Sequence, residues 1–570
     1  MNAAQALVEM LIRYGTTAIF GLPGDTSIDL YDALRAESGR ITHIVARDER
    51  SAAFMADVYA RLTGKPGICE GPSGGGASYM LPGVAEANGS SVAMIAMTTD
   101  NPTGYQDQGA LTDLDQTRIY RPVTKWATRV TSAEMLPRLV RRAFRMATSG
   151  RPGAVHLSLP KDVLGTDIPA AVGMHAEDAC TRWPAYRTRP APDTVTRAAR
   201  RLIAATRPVI VAGGGAVSSG AHAELLALSR LLNIPLATTI NGKGAVAESW
   251  RLSIGVIGAN GGRPYANQML RQADLVLFVG CKVNYVDTDN WRLPSLANPP
   301  CILQIDVDPT ELGNNYPIDE GMCGDARTAL ADLLAALEDV KAPPDRGDWI
   351  DDLVKLKAAW RSHTRDLASG SQSPIMAQRV IGELQRTLPE ETILVCDPGT
   401  PTPFVAAEFE LSRPGRWAIF PRAQGGLGYA IPGVVGARLA RPDLPIVGLC
   451  GDGSFAMSAG DLATVARMGG PTILILFNNR CYGWIKALQK LYQDGRYFSV
   501  DLTEPIDYVR VAEGFGLSGT RVDSPAEIAP ALQHALNSNH PSFIEIATAP
   551  EHETIPPVAP WRRHIAPTSP

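Results

Sequence analysis

No stretch of this chain approaches the ~18–20 consecutive apolar residues that a membrane-crossing helix needs, which excludes a helical membrane protein. The first residues, Met1 to Gln5, carry no basic region followed by an apolar core, so a cytoplasmic protein is expected. None of the eight cysteines belongs to a CxxC pair, which argues against a zinc framework; they read as scattered, buried thiols. Neither sign of charge dominates. The 54 Lys and Arg against 58 Asp and Glu leave a net charge of −4, so neither nucleic acid nor a membrane surface is expected as a partner. Tandem repeats and low-complexity tracts are missing. No histidine lies between His43 and His156.

With 570 residues, 45% of them apolar, the chain exceeds what one hydrophobic core serves, and several domains are expected. Three blocks alternate short β-rich runs with helical patterns, the mark of parallel sheets covered by helices. The first block, 1–170, has runs at Ala18–Phe20, Ser91–Met97 and Ala154–Leu159, with a helical pattern at Ser27–Leu34. A Pro- and Arg-rich linker follows at Arg182–Pro192. The second block, 190–340, has Pro208–Ala212, Leu275–Val279 and Ile302–Ile305, and a further linker is expected at Lys341–Gly347. The third, 365–550, has Ile393–Cys396, Ile446–Leu449, Ile473–Phe477 and Phe543–Ile546. The tail, 551–570, carries prolines at 556, 557 and 560. Its stretch Ile555–Trp561 is read as non-helical, either a disordered end or a lid.

The sharpest motif is in the third block. The run PIVGL (445–449) leads into Gly451, Asp452, Gly453 and Ser454; the apolar run ILILF (473–477) ends on Asn478 and Asn479. Glycines let a backbone approach phosphate closely. An Asp at one strand end and an Asn at the next can share one hard cation, and open α/β sheets bind ligands at such carboxyl ends. In the first block, RDERSAAFMADVYARLTGKPG (47–67) places Glu49 at the start of a helix with apolar Phe54, Val58 and Leu62. That carboxylate is either a helix-terminus charge or a catalytic group.

GDG, then 24 residues, then NN resembles the signature of the thiamine-diphosphate-dependent enzymes. The 47–67 segment resembles their RHEQ…ADGYAR…TGKPG stretch, with Asp48 where the family usually has His. The segment RAQGGLGYAIP (422–432) resembles the turn that grips the aminopyrimidine. The resemblance implies three doubly wound α/β domains: pyrimidine-binding, middle and diphosphate-binding. It implies magnesium held by Asp452, Asn479 and the Cys481 carbonyl, and Glu49 as activator of the cofactor. Cofactor contacts would come from Pro23, Gly453, Ser454, Asn479 and the Gly425 carbonyl. Thr400 and Thr402 are either diphosphate contacts or turn residues. Leu427 is either the apolar wedge under the cofactor or a core leucine. Because the family builds each site from two chains, a homodimer or homotetramer is implied.

Within the family the resemblance is densest to acetolactate synthase: FGLPG (20–24), AGGGAVSSGAH (212–222), NGKG (241–244) and IDVDPTEL (305–312) all fit it. Leu111 and Thr112 replace its Phe-Gln pair, Trp484 its methionine and Leu488 its tryptophan. The segment at Gly280–Asn284 lacks the pattern that accompanies flavin, so FAD is not expected. ALTDLDQTRIYRPVTKW (110–126) is similar to benzoylformate decarboxylase, and Gln108-Gly109 with Asp115-Gln116 to oxalyl-CoA decarboxylase. Asp25 and Gln108 are candidate pocket groups, Asp25 being alternatively a helix cap. Tyr482, Trp484 and Ile485 are either an apolar pocket for an acyl or aryl group or packing under the metal loop. The implied activity is non-redox cleavage or formation of a carbon–carbon bond in a 2-oxo acid or acyl donor, with an aldehyde or ketone as possible acceptor. A 2-hydroxyacyl-CoA lyase, an oxalyl-CoA decarboxylase-like enzyme and a non-catalytic paralogue stand as alternatives.

Overall fold

A computed structural model describes residues 1–554 and 556–565. The chain folds into three six-stranded sheets whose bonded neighbours all run parallel. The first sheet contains β1 (Ala18–Gly21), β2 (Thr42–Val45), β3 (Gly67–Gly71), β4 (Met94–Asp100), β5 (Trp126–Arg129) and β6 (Ala154–Pro160), in the order β2-β1-β3-β4-β6-β5. The second contains β7 (Pro208–Ala212), β8 (Leu236–Thr238), β9 (Ser253–Val256), β10 (Leu275–Val279), β11 (Cys301–Asp306) and β12 (Glu320–Cys323), ordered β12-β11-β10-β7-β8-β9. The third contains β13 (Ile393–Cys396), β14 (Ala418–Ile419), β15 (Ile446–Gly451), β16 (Thr472–Asn478), β17 (Ser518–Val522) and β18 (Ser542–Ala547), ordered β14-β13-β15-β16-β18-β17. Central strands such as β7, β10 and β16 are continuous Val, Ile, Leu and Phe runs because helices cover both faces.

The first and third sheets share one strand order, and their domains pack together through two helices, Glu49–Thr63 and Ala430–Ala440. Ser51–Ala60 of the first helix and Ala430–Arg438 of the second are buried, and one apolar core runs from Phe54, Met55 and Val58 into Ile431, Val434 and Val435. Small residues allow the approach: a Cβ on Gly436 would lie 2.1 Å from the Met55 carbonyl oxygen. A buried polar chain crosses the same interface. Tyr429 donates its hydroxyl to Asp57, Arg61 pairs with Asp57 at 2.8 Å, and Glu86 accepts the backbone N–H of Gln424 at 2.7 Å.

The tail departs from the expected lack of helix. After Pro556 and Pro557, a helix runs Ala559–Ile565, with Pro560 in its first turn, where a missing N–H costs little. Ile555 and residues 566–570 lie outside the described residues.

At an exposed helical site, Gly→Ala stabilises by about 1 kcal/mol. Gly436→Ala should do the reverse, destabilising by about 1–3 kcal/mol through overpacking against Met55, and thermal unfolding followed by circular dichroism checks the sign.

Candidate active site

The carboxyl ends of β13, β15 and β16 lie side by side, with Cys396 paired to Leu449 and Gly451 to Phe477. The loops after these strands therefore meet at one edge of the third sheet, beside the point where strand order reverses. Asp397 follows β13 directly and is fully buried. Its carboxylate accepts the Tyr429 backbone N–H at 2.7 Å and the Ser454 hydroxyl at 3.0 Å, and its carbonyl accepts the Thr402 hydroxyl at 2.7 Å. Asp452 opens the short helix after β15; its two oxygens accept the N–H groups of Gly453 at 2.8 Å and Arg480 at 2.6 Å. Burial pushes Asp452 up to about 6. The Asn479 Oδ1 atom accepts the Cys481 N–H at 3.2 Å, and the Cys481 carbonyl accepts the Gly483 N–H at 2.8 Å.

The structure thus brings Asp452, Asn479, Cys481, Gly453, Ser454, Thr400 and Thr402 to one place. The hydroxyls of Ser454 and Thr402 bond to Asp397, whereas that of Thr400 donates to Glu551. Gly399, Gly425 and Gly451 form the open part of the cradle: a Cβ on any of them would meet nothing within 4 Å. Leu427 is half-buried on the turn between Gly425 and Gly428, whose φ angles of 65° and 82° suit glycine. The donor set is hard oxygen, with one buried carboxylate and neutral amide and carbonyl oxygens. Among the described residues no Lys or Arg pairs with Asp452, and no cluster of three or more His, Cys, Asp or Glu side chains is placed to hold a metal. A buried acid without a cationic partner beside an open glycine cradle fits a hard cation carrying phosphate oxygens.

Glu49 stands elsewhere, at the first turn of its helix. Asp48 is the cap, accepting the Arg50 N–H at 2.7 Å, so the cap role leaves Glu49 free. The Glu49 carboxyl lies against Gly71 and Gly76, in the turn after β3, and its charged neighbours are Asp48 and Glu70. Burial raises its pKa, with no cation to oppose the shift. Pro23 and Asp25 are exposed on the loop after β1, near the same strand ends. The cap of the next helix is Ser27, so Asp25 does not cap it.

Gln108, Leu111 and Thr112 lie together on one exposed loop. Gln108 donates to the Gly104 carbonyl at 2.7 Å, Thr112 shares a 2.8 Å hydrogen bond with Ser73, and Leu111 is 84% exposed. Tyr482 lies over Gly453, whose added Cβ would stand 2.7 Å from the ring; Ile485 faces outward, and Trp484 packs on Trp561 at 4.5 Å between ring centroids. The two flanking histidines are committed elsewhere. His43 contacts Glu70 at 3.2 Å, and His156 is stacked on Tyr120, where burial lowers it to about 3.

A cavity of about 690 Å³ lies away from this site. It lies against Gly214, Asn241, Lys282, Asp306 and Arg422, and none of the sequence-predicted residues lines it. Glycines lining it also serve chain packing: a Cβ on Gly215 would lie 2.9 Å from the Gly280 Cα atom.

Two residues of the site escaped the sequence reading. Asp397 had a local signal, its place at the end of a buried strand before PGTPT. Glu551 had none. It is 3% exposed, its Oε2 accepts the Asn479 amide at 2.9 Å, and burial pushes it up to about 7.

Residues 1–119 match the N-terminal TPP binding domain of the thiamine pyrophosphate (thiamine diphosphate) enzymes, 195–333 their central domain, and 397–546 their C-terminal TPP binding domain. The chain is 34% identical to the probable acetolactate synthase large subunit of Methanocaldococcus jannaschii, over 99% of this chain and 94% of that one. It is 32% identical to the protein of the same name from Methanococcus aeolicus, over 98% and 94% of the two chains. It is 30% identical to the acetolactate synthase isozyme 3 large subunit of Escherichia coli, over 96% and 94%. Three parallel-sheet domains, a GDG–NN loop pair at the strand ends of the third and a half-buried glutamate in the first all agree with these matches: this chain belongs to the thiamine pyrophosphate enzymes.

Proposed function

We propose that this enzyme is a magnesium- and thiamine-diphosphate-dependent carboligase or decarboxylase of 2-oxo acids, working without redox chemistry. The observation that carries it is the convergence of Asp452, Asn479 and the Cys481 carbonyl beside an open glycine cradle. The relatives named acetolactate synthase support the substrate class. When bound, the cofactor supplies the nucleophilic carbon and electron sink for the bond next to a carbonyl.

The chain's own residues do the rest. Asp452, Asn479 and the Cys481 carbonyl would hold the cation, and the backbone around Gly451–Ser454 would receive the phosphates. Burial raises the Glu49 pKa and nothing cationic opposes it, which suits a carboxyl that exchanges a proton with the cofactor. Leu427, between two glycines that fix its turn, is the apolar surface on which the cofactor would rest. Tyr482, Ile485 and the exposed loop with Gln108, Leu111 and Thr112 are the surfaces available to the substrate.

A dimer is part of this reading. Glu49 is surrounded by first-domain groups, and Asp452 by third-domain groups. Two copies, each offering Glu49 to the other's metal loops, would complete two sites.

Calorimetric titration of metal-stripped protein with thiamine diphosphate should show binding that requires magnesium. Asp452→Ala should abolish it while size-exclusion chromatography shows an unchanged assembly; magnesium-independent binding would remove the assignment. Glu49→Gln should bind the cofactor normally yet lose about 10²–10⁴-fold in turnover, the range of general acid–base catalysis. Carbon dioxide and hydroxyketone released from a panel of 2-oxo acids provide the readout. Because burial raises the Glu49 pKa, its ionisation is shifted to higher pH than that of an exposed glutamate. Wild-type kcat/KM should therefore fall as pH rises through the Glu49 pKa, at a higher pH than an exposed glutamate would give. A pH–rate profile checks it.

A further inference from the structure

The last described segment is strapped across the molecule. The Gly261 N–H donates to the Pro557 carbonyl at 2.8 Å, and the Ala559 N–H donates to the Ala259 carbonyl at 2.9 Å. Arg563 pairs with Asp289 of the middle domain, and Trp561 packs on Trp484 of the helix that follows the metal loop. Where this strap leaves the third sheet, it drives one side chain, Glu551, into the cofactor site. The carboxylate accepts the Thr400 hydroxyl through one oxygen and the Asn479 amide, at 2.9 Å, through the other. The backbone is shaped to admit it, since a Cβ on Gly483 would lie 1.8 Å from the Glu551 Oε2 atom. Among the described residues no Lys or Arg forms an ion pair with Glu551.

We propose that Glu551 is a positioning residue that orients the Asn479 amide and the Thr400 hydroxyl for cation and diphosphate, and thereby latches the C-terminal segment to the occupied site. The inference rests on the magnesium–thiamine-diphosphate reading given above. An asparagine amide has two nearly equal faces, one accepting and one donating. A carboxylate on the Nδ2 side leaves only Oδ1 for a cation; without it the amide can turn over and present N–H groups to a positive charge. The same carboxylate holds the Thr400 side chain. A cation that binds the oriented Asn479 more tightly favours the seated strap by the same factor, because such coupling is reciprocal.

The test uses the full-length protein with magnesium and thiamine diphosphate. Loss of a partner that orients a metal ligand costs about ten- to a hundredfold in affinity, and Glu551→Ala should weaken calorimetric binding by that factor at an unchanged melting temperature. Glu551→Gln, which keeps one acceptor for Asn479 and a donor for Thr400, should retain most of the affinity. Trypsin cleavage after Arg562 and Arg563 should slow when cofactor and magnesium are added to wild type, and should not slow in Glu551→Ala. Equal affinity of wild type and Glu551→Ala overturns the proposal. So does Glu551→Gln as weak as Glu551→Ala, which would make the charge itself a ligand. Should Glu551→Ala fail to fold, unchanged cleavage of wild type on adding cofactor overturns the latch. A wild type that binds no cofactor fails differently, since it removes the cofactor reading itself.

Discussion

The buried carboxylate of Asp397 is the interaction on which the site depends. Burying an acid without a positive partner is costly, and hydrogen bonds must offset the lost hydration. Here they come from separate segments: the Tyr429 backbone, which opens the interface helix, and the Ser454 hydroxyl on the phosphate loop. The Asp397 carbonyl holds Thr402 of its own loop. One residue therefore fixes the spacing of the loop after β13, the loop after β15 and the glycine turn around Leu427. Asp452 repeats the device at smaller scale, joining its own helix start to Arg480 in the loop after β16.

The duplicated strand order of the first and third domains gives this arrangement its sense. Each domain presents one set of strand-end loops, built alike but furnished differently. The first carries Glu49 among glycines, and the third carries Asp452, Asn479 and a polar cradle. The buried Asp57, Arg61, Glu86 and Tyr429 group tethers the two domains through charge-assisted bonds, where a plain apolar contact would permit sliding. The middle domain joins this pair partly through the tail, by way of Asp289 and the backbone at Ala259 and Gly261.

How much of this was legible in the sequence followed burial. Strands covered on both faces are unbroken apolar runs, and Pro208–Ala212, Leu275–Val279 and Ile393–Cys396 could be read to the residue. Strand β4 was shifted. It starts at Met94 because the chain passes through a positive φ at Ser91, and it runs on through Thr98, Thr99 and Asp100, polar residues that are buried all the same. Edge strands β2 and β17 went unread because only one residue of each is buried and no apolar pattern forms. In the site, the GDG–NN spacing and the Glu49 segment are local and could be read. Glu551 could not, because its meaning comes from residues more than 70 positions away. The prolines of the tail hid a helix that begins just beyond Pro557.

The close crossing of the two interface helices has a mechanical consequence. At Gly436 the backbones nearly touch, so no side chain stands between them to change rotamer and absorb a displacement. Glu49 begins one of these helices, and the other begins beside Tyr429, the residue seated on Asp397. The pair is built as a rigid strut rather than a spring. The close contact leaves little slack between the phosphate loops and the glutamate pocket.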